Sequence, residues 1–210
     1  YDPEKTKGLV VDEWGNWHDV EPGTNPGFLY QQNTLRDALV AAVNLNIFNN
    51  HCERVKMANI AQTVNVLQSV ILTDEDQMVR TPTYYVFKMY QVHHDATLVP
   101  HKISSEEYSV EEKSIPALNT SCSKDKFGIL HLTVANLNPN NGTNIECIIE
   151  GKDAVEVSNV EILTAGSMNA YNDFGEKEEV NIRPFDDVYE EGNKLTINMP
   201  PKSIIQISLK

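Results

Sequence analysis

The stretch Gly8-Leu-Val-Val-Asp-Glu-Trp-Gly-Asn-Trp17 decides how the first half of this chain is interpreted. Residues 9–11 form a short apolar run behind a glycine, which is typical of a strand covered on both faces in a parallel sheet. Asp12 and Glu13 follow where that run ends. Because parallel barrels carry their catalytic groups at the carboxyl ends of the strands, this pattern favours a carboxylate directed into an active site.

The two tryptophans of the chain, Trp14 and Trp17, lie within five residues of this acidic pair. Aromatic faces pack against the C–H surfaces of sugar rings, so their position favours a carbohydrate site. The alternative is that Asp12 and Glu13 only begin a solvated loop, and an acidic pair by itself does not exclude it.

Three segments carry a resemblance to a known family. They are Val10-Val-Asp-Glu-Trp-Gly-Asn-Trp-His18, Glu21-Pro-Gly-Thr-Asn-Pro-Gly-Phe-Leu-Tyr-Gln-Gln-Asn-Thr-Leu-Arg-Asp-Ala-Leu-Val-Ala-Ala42 and Met57-Ala-Asn-Ile-Ala-Gln-Thr-Val-Asn-Val-Leu-Gln68. Together they resemble the C-terminal half of family 51 glycoside hydrolases, the retaining α-L-arabinofuranosidases. The resemblance implies that Glu13 is the catalytic nucleophile and that Trp17 and Gln62 line the arabinose subsite.

The same resemblance implies a second catalytic carboxyl that this sequence does not supply. In the family, the acid/base glutamate lies in an Asn-Glu motif at the end of an earlier barrel strand, and this chain begins too late to include it. The nearest pattern, Asn144-Ile-Glu146, has the wrong spacing and lies in a β-rich region. We therefore expect an N-terminal barrel segment as a partner, and we expect the 210-residue chain alone to be inactive.

Length and periodicity predict an α/β part followed by an all-β part. An eightfold barrel needs ~250 residues, so 210 residues can supply only part of one. We assign residues 1–95 to the last two strand–helix units of a (β/α)8 barrel, and residues 96–210 to an antiparallel, jelly-roll-like β-sandwich. The family also has a sandwich after its barrel, so the resemblance implies the same architecture.

The barrel part is expected to contain two helices. Apolar residues recur at helical spacing from Phe28 to about Asn50, and residues 52–59 form a strand that brings Gln62 to the same edge as Glu13. The second helix is predicted over residues 81–93, with Thr81 as its N-cap and Pro82 in its first turn.

Shorter features complete the prediction. Residues 68–76 look like a hairpin on the barrel top. After a linker at residues 95–100 the period changes to two, and several short strands follow, which indicates a sandwich. The segment 180–185 is expected at a sheet edge, because Pro184 cannot donate to a ladder.

The titratable and metal-binding residue types suggest little further chemistry. Three cysteines at unpatterned spacings imply no disulfide framework, although Cys122 and Cys147 could pair if their strands are neighbours. His93 and His94 end the second helix, where the helix dipole favours an imidazolium. We assign no metal and no cofactor. His18 either bonds a sugar or a carboxylate or is an exposed loop residue without a role.

Composition restricts the partners. A net charge of −13 argues against nucleic acid, and no apolar run approaches the ~18 residues of a membrane span. An arabinose-containing oligo- or polysaccharide is compatible with this charge, and a homo-oligomer is left open.

The leading function is therefore the C-terminal part of a retaining, exo-acting α-L-arabinofuranosidase. Two alternatives remain at this stage: a non-catalytic carbohydrate-binding or structural module, in which the sandwich is the working part, and an endo-β-glycanase of the same family.

Overall fold

Two parallel strands and two helices form the first part of the chain. A computed structural model describes residues 2–210. The elements of the first part are β1 (Leu9–Trp14), α1 (Leu35–Asn50), β2 (Val55–Ile60), β3 (Ile71–Asp74), β4 (Gln77–Arg80) and α2 (Pro82–Tyr90), with 3₁₀ turns at Pro26–Phe28 and Gln91–His93. β1 and β2 pair in parallel, and β3 and β4 form a hairpin over residues 71–80, which begins and ends later than the predicted 68–76.

The remaining elements are all strands. They are β5 (Thr97–Leu98), β6 (Glu107–Val110), β7 (Lys113–Pro116), β8 (Leu118–Lys124), β9 (Leu130–Asn136), β10 (Thr143–Ile148), β11 (Val157–Thr164), β12 (Ile182–Pro184), β13 (Val188–Glu191), β14 (Lys194–Met199) and β15 (Ser203–Leu209). A six-stranded antiparallel sheet has the order β12-β11-β15-β9-β8-β5, and a three-stranded sheet has the order β10-β14-β13. The predicted antiparallel sandwich is confirmed, and β12 lies at a sheet edge as expected.

These elements stack in four layers with two hydrophobic cores. The first core lies between the β1–β2 pair, the two helices and the six-stranded sheet, and it includes Trp14, Val86, Leu163 and Ile204. The second lies between the two sheets of the sandwich. Since both faces of the six-stranded sheet are covered, β15 is buried along its whole length. The division of the chain into domains at residues 95 and 96 stays a prediction.

The start of α1 differs from its prediction. The helix begins at Leu35 rather than at Phe28, because the residues before it take other conformations. Leu29 has a left-handed backbone (φ 52°) and ends a 3₁₀ turn. Thr34 is the N-cap, and its backbone N–H and hydroxyl both donate to the Asp37 carboxylate. The second helix starts as predicted, with Thr81 as N-cap and Pro82 first in the helix, but its last turn, Gln91–His93, is 3₁₀.

β1 is also less buried than the apolar run predicted. Val11 and Trp14 pack towards the helices, whereas Leu9 is 48% and Val10 47% exposed. The physical reason is that helices cover only one face of the β1–β2 pair, and β2 is the one strand paired with β1 in the part of the chain that the structure describes.

All three cysteines have free thiols. Cys122 lies on β8 and Cys147 on β10, and these strands belong to different sheets rather than being neighbours. Burial, together with the nearby Cys147 thiol, raises the pKa of Cys122 to about 11, so this thiol is protonated at neutral pH.

Candidate active site

The ends of β1 and β2 bring the predicted site residues to one edge. Trp14 is the register partner of Ile60, and the Ala61 N–H donates to the Trp14 carbonyl at 2.9 Å. Glu13 is the penultimate residue of β1, and Gln62 lies two residues beyond the end of β2. Both side chains are exposed. Because the strands are parallel, their carboxyl ends coincide, and Glu13 and Gln62 share the edge that catalytic residues occupy in barrels.

The two tryptophans have different environments. Trp14 is buried, with its ring edge-on to Phe48 of α1 at 5.4 Å and stacked on Phe87 of α2 at 6.1 Å between ring centroids. Trp17 is 67% exposed in the loop that follows β1. Trp14 therefore belongs to the core, and Trp17 is the tryptophan whose face is free to meet a ligand.

A buried carboxylate, Asp37, lies in the first turn of α1. It lies behind the loop that follows β1 and contains Trp17, hereafter the Trp17 loop. Its Oδ1 accepts a hydrogen bond from Asn16 Nδ2 at 2.6 Å, and His18 Nε2 is 3.0 Å from the same oxygen. Burial alone would raise the pKa of Asp37, but hydrogen bonds from Asn16, Thr34 and His18 and the charge of Arg36 hold this pKa below its usual value. Asp37 is therefore ionised at neutral pH.

His18 contacts two charged side chains of the chain itself. Its side chain is 37% exposed, and its Nε2 lies 3.0 Å both from Asp37 Oδ1 and from Arg36 Nη2. One ring nitrogen cannot donate to the carboxylate and accept from the guanidinium at once, so only one of the two contacts is a hydrogen bond in a given tautomer. The structure therefore places His18 against a carboxylate of the chain itself.

Two buried amides complete the surroundings of this loop. Gln31 contacts the backbone of Asn16 and His18, and Gln68 contacts the backbone of Asn16. Gln31, Gln68 and Asp37 were not predicted from the sequence as site residues. The spacing of Thr34 and Asp37, which is that of a capping box, was the one local signal for Asp37.

The connection between β11 and β12 reaches this side of the molecule. The Leu35 N–H donates to the Ala170 carbonyl at 2.9 Å, and the Arg36 N–H donates to the Met168 carbonyl at 3.0 Å. The first turn of α1 is thus capped by the sandwich. Asn172 in the same connection donates to the Arg80 carbonyl at 2.9 Å, just before α2 begins.

Two surface depressions of about 380 and 420 Å³ lie elsewhere. The first is on the three-stranded sheet near Phe185, and the second is near Asn50 at the end of α1. Neither is lined by Glu13, Trp17 or Gln62.

Across residues 2–210, no group of three or more His, Cys, Asp and Glu side chains is arranged to hold a metal ion. Over the same residues, neither helix has the length and apolarity that crossing a membrane requires.

Comparison with known proteins identifies the family. Residues 12–203 match the model of the α-L-arabinofuranosidase C-terminal domain. The chain is 44% identical over 211 aligned residues to an intracellular exo-α-L-arabinofuranosidase of Bacteroides ovatus; the match covers 100% of this chain and 41% of that protein.

Solved structures agree with this match. The chain superimposes on the crystal structure of a GH51 arabinofuranosidase from Xanthomonas axonopodis pv. citri with a TM-score of 0.96 and 43% identity, covering 100% of this chain and 42% of that one. An α-L-arabinofuranosidase of Thermotoga maritima in complex with arabinose shares the fold, with a TM-score of 0.82 and 23% identity over 98% of this chain and 43% of that one.

The match over residues 12–203 covers most of the chain, and the chain therefore belongs to the family of α-L-arabinofuranosidase C-terminal domains. The resemblance to family 51 and the fold predicted from it are confirmed. The chain spans about 41% of the length of the Bacteroides relative.

Proposed function

We propose that this chain is the C-terminal part of a retaining, exo-acting α-L-arabinofuranosidase that removes arabinofuranosyl side chains from plant polysaccharides such as arabinan and arabinoxylan. The observation that carries the proposal is the common edge of β1 and β2, where Glu13 and Gln62 are exposed and Trp17 follows in the next loop. Membership of the family supports it, as do the arabinofuranosidase names of the relatives.

In this proposal Glu13 is the nucleophile. Its carboxylate attacks the anomeric carbon of the arabinofuranosyl unit and forms a glycosyl ester, while the glycosidic oxygen leaves with a proton from a second carboxyl group ~5 to 5.5 Å away. Water, deprotonated by that second group, then hydrolyses the ester and restores Glu13. Two inversions at the anomeric carbon give net retention.

Trp17 and Gln62 bind the sugar in the same proposal. The exposed indole of Trp17 offers a face for the C–H surface of the furanose ring. The amide of Gln62 offers both a donor and an acceptor, which suits a hydroxyl group that does both.

A preceding barrel segment supplies the acid/base carboxyl and covers the bare face of the β1–β2 pair. On this pair, Leu9, Val10 and Met57 are each about half exposed, at 48%, 47% and 54%, although all three lie on strands. Neighbouring barrel strands would remove such apolar surface from water, which is favourable by about 25 cal/mol per Å².

A carbohydrate-binding module without catalysis finds less support in the sandwich. That function calls for a planar row of exposed aromatic residues on one sheet face. The most exposed aromatic side chains after residue 95 are Phe127 in a turn, Tyr171 in the β11–β12 connection and Tyr189 on β13. They lie on three separate elements, so they do not form such a row.

The test of the proposed function is Glu13→Gln in the intact enzyme. The amide keeps the volume of the carboxylate but cannot form the glycosyl ester, so turnover of an aryl α-L-arabinofuranoside should fall by a factor on the order of 10³ or more. The melting temperature should hardly change, since Glu13 is exposed. The matched control is Asp12→Asn, which neutralises the adjacent exposed acid and should keep most of the turnover.

Substantial turnover by a folded Glu13→Gln protein would show that another residue is the nucleophile. The 210-residue chain alone, assayed in the same way, should be inactive, because its acid/base partner is expected on a preceding segment. Clear activity of the chain alone would place that carboxyl within these residues and refute the expectation.

A further inference from the structure

The backbone on either side of Trp17 is bonded to one buried amide side chain. Gln31 Oε1 accepts a hydrogen bond from the His18 N–H at 2.9 Å, and Gln31 Nε2 donates to the Asn16 carbonyl at 3.2 Å. Gln31 is 2% exposed, and its Nε2 also donates to Asn33 Oδ1 at 3.2 Å. A single amide therefore holds the residue before Trp17 and the residue after it.

A second buried amide ties the same loop to both helices. Gln68 Oε1 accepts from the Asn16 N–H at 2.8 Å. Its Nε2 donates to the Asp37 carbonyl at 2.8 Å and lies 3.1 Å from Thr83 Oγ1, so it reaches the first turns of α1 and α2. With the bond from Asn16 Nδ2 to Asp37, the residue preceding Trp17 is held at its N–H, its carbonyl and its side chain.

Holding the Trp17 loop in this way requires three buried polar side chains, although the large side chain of the loop contributes nothing to the core. Burying amides and a carboxylate is unfavourable unless each of them is hydrogen-bonded. Here the amides bond the backbone, and the carboxylate bonds the side chains, of the two residues that flank an indole that is 67% exposed. Trp14, in contrast, is held by packing between Phe48 and Phe87. The bonds around Trp17 restrict the loop before any ligand arrives, which lowers the ordering cost of binding.

We propose that Gln31 is a positioning residue that fixes the Trp17 loop so that the indole face is preformed for the furanose ring, with Gln68 as the second support. The proposal rests on the proposed function for the identity of the ligand. The fixing of the loop itself does not depend on catalysis.

The experiment compares Gln31→Met with wild type in the intact enzyme labelled with 5-fluorotryptophan. Methionine has a similar length and can make neither backbone bond, so the Trp17 loop should exchange between conformations. The ¹⁹F resonance of Trp17, assigned from its absence in Trp17→Phe, should broaden or split, because exchange on the μs–ms timescale affects NMR line shape. The Trp14 resonance should keep its shift and width.

Kinetics with an aryl α-L-arabinofuranoside give the second readout. KM should rise by about tenfold or more in Gln31→Met, because binding must then order the Trp17 loop. The value of kcat should fall by a smaller factor, because small displacements of positioning groups cost up to about a hundredfold in rate. The matched control is Gln206→Met on β15, which removes an equally buried glutamine whose Nε2 bonds Ser208 Oγ at 2.9 Å. That variant should be destabilised but should leave KM and the Trp17 resonance unchanged.

A Trp17 resonance that stays sharp and unshifted in folded Gln31→Met overturns the proposal, and so does an unchanged KM. An equal effect of Gln206→Met also overturns it, because the effect would then be general loss of stability. If Gln31→Met does not fold, Gln31→Asn, whose amide is one methylene too short to reach both backbone groups, replaces it with the same expected signs. If the wild type turns over no arabinofuranoside, the proposed function fails and the fluorine spectrum alone decides whether Gln31 fixes the loop.

Discussion

At the scale of single residues, His93 shows how burial reverses a charge state expected from sequence. Its position at the end of α2 favours an imidazolium. The structure instead places the ring against the six-stranded sheet, with Nδ1 2.7 Å from Ser123 Oγ and Nε2 3.0 Å from Thr133 Oγ1. Burial, with smaller contributions from His131 and His94, lowers the pKa of His93 to about 4. The expected imidazolium is therefore wrong, and His93 is neutral at pH 7.

This shift predicts a loss of stability in acid. Between pH 6.5 and 4 the unfolded chain binds a proton at His93 and the folded chain does not, so the free energy of unfolding falls as the pH falls through this window. One pKa unit is worth about 1.4 kcal/mol, and the full loss is about 3 kcal/mol. Urea unfolding at pH 4.5 and 6.5 should show a smaller difference for His93→Asn than for wild type.

The comparison of two proteins isolates His93 from other groups that titrate in acid, such as Asp37, whose pKa is lowered in the fold. His101→Asn, which changes an exposed histidine, should keep the wild-type difference between the two pH values. An equal pH dependence in wild type and His93→Asn would contradict the prediction.

At the scale of an element, the start of α2 depends on Thr81. Its hydroxyl accepts from the Tyr84 N–H at 3.4 Å and lies 2.8 Å from the Ser69 carbonyl, so it caps the helix and joins it to the preceding segment. Thr81→Ala should lower the free energy of unfolding by about 1–2 kcal/mol, as the loss of an N-cap does. The measurement is the urea midpoint at unchanged slope, which reports stability alone.

The control for Thr81 is Thr97→Ala, at an exposed position of β5. It makes the same chemical change without touching a helix terminus, so its effect should be within about 0.5 kcal/mol. Equal midpoints for Thr81→Ala and Thr97→Ala would mean that the cap contributes nothing to stability.

At the scale of the whole molecule, β15 joins the two cores. Ile204 belongs to the core shared with the helices, and Ile205 belongs to the core inside the sandwich; both are fully buried. Each change to alanine should cost about 2–5 kcal/mol. Ile204→Ala should speed amide hydrogen exchange in α1 and α2, whereas Ile205→Ala should speed it in β10 and β14, because each cavity weakens the layer that it faces.

Exchange followed peptide by peptide in the intact enzyme distinguishes these outcomes, and each variant is the control for the other. The same pattern of increased exchange in both variants would show that the four layers open as a single unit.

Several structural features of this protein are determined by short-range patterns in its sequence. The apolar run before Glu13, the Thr81–Pro82 helix start and the period-two strands after residue 100 all depend on neighbours within a few positions. The spacing of apolar and capping residues along the chain indicates whether a segment is a helix or a strand and which face it buries. Such features can therefore be predicted without knowledge of the fold. The roles of Glu13, Trp17 and Gln62 rest on the resemblance and stay predictions, although the parallel β1–β2 pairing brings Glu13 and Gln62 to one edge.

Only the tertiary structure decided the features that depend on distant contacts. The first two N–H groups of α1 donate to the carbonyls of residues 170 and 168, and Gln31, Gln68 and Asp37 meet behind Trp17 from separate segments. The charge of His93 follows from a sheet formed by residues 30 to 40 positions away. These properties depend on burial and on hydrogen bonds between residues that are far apart in the sequence. A sequence pattern predicts only features that depend on residues within one turn or one strand.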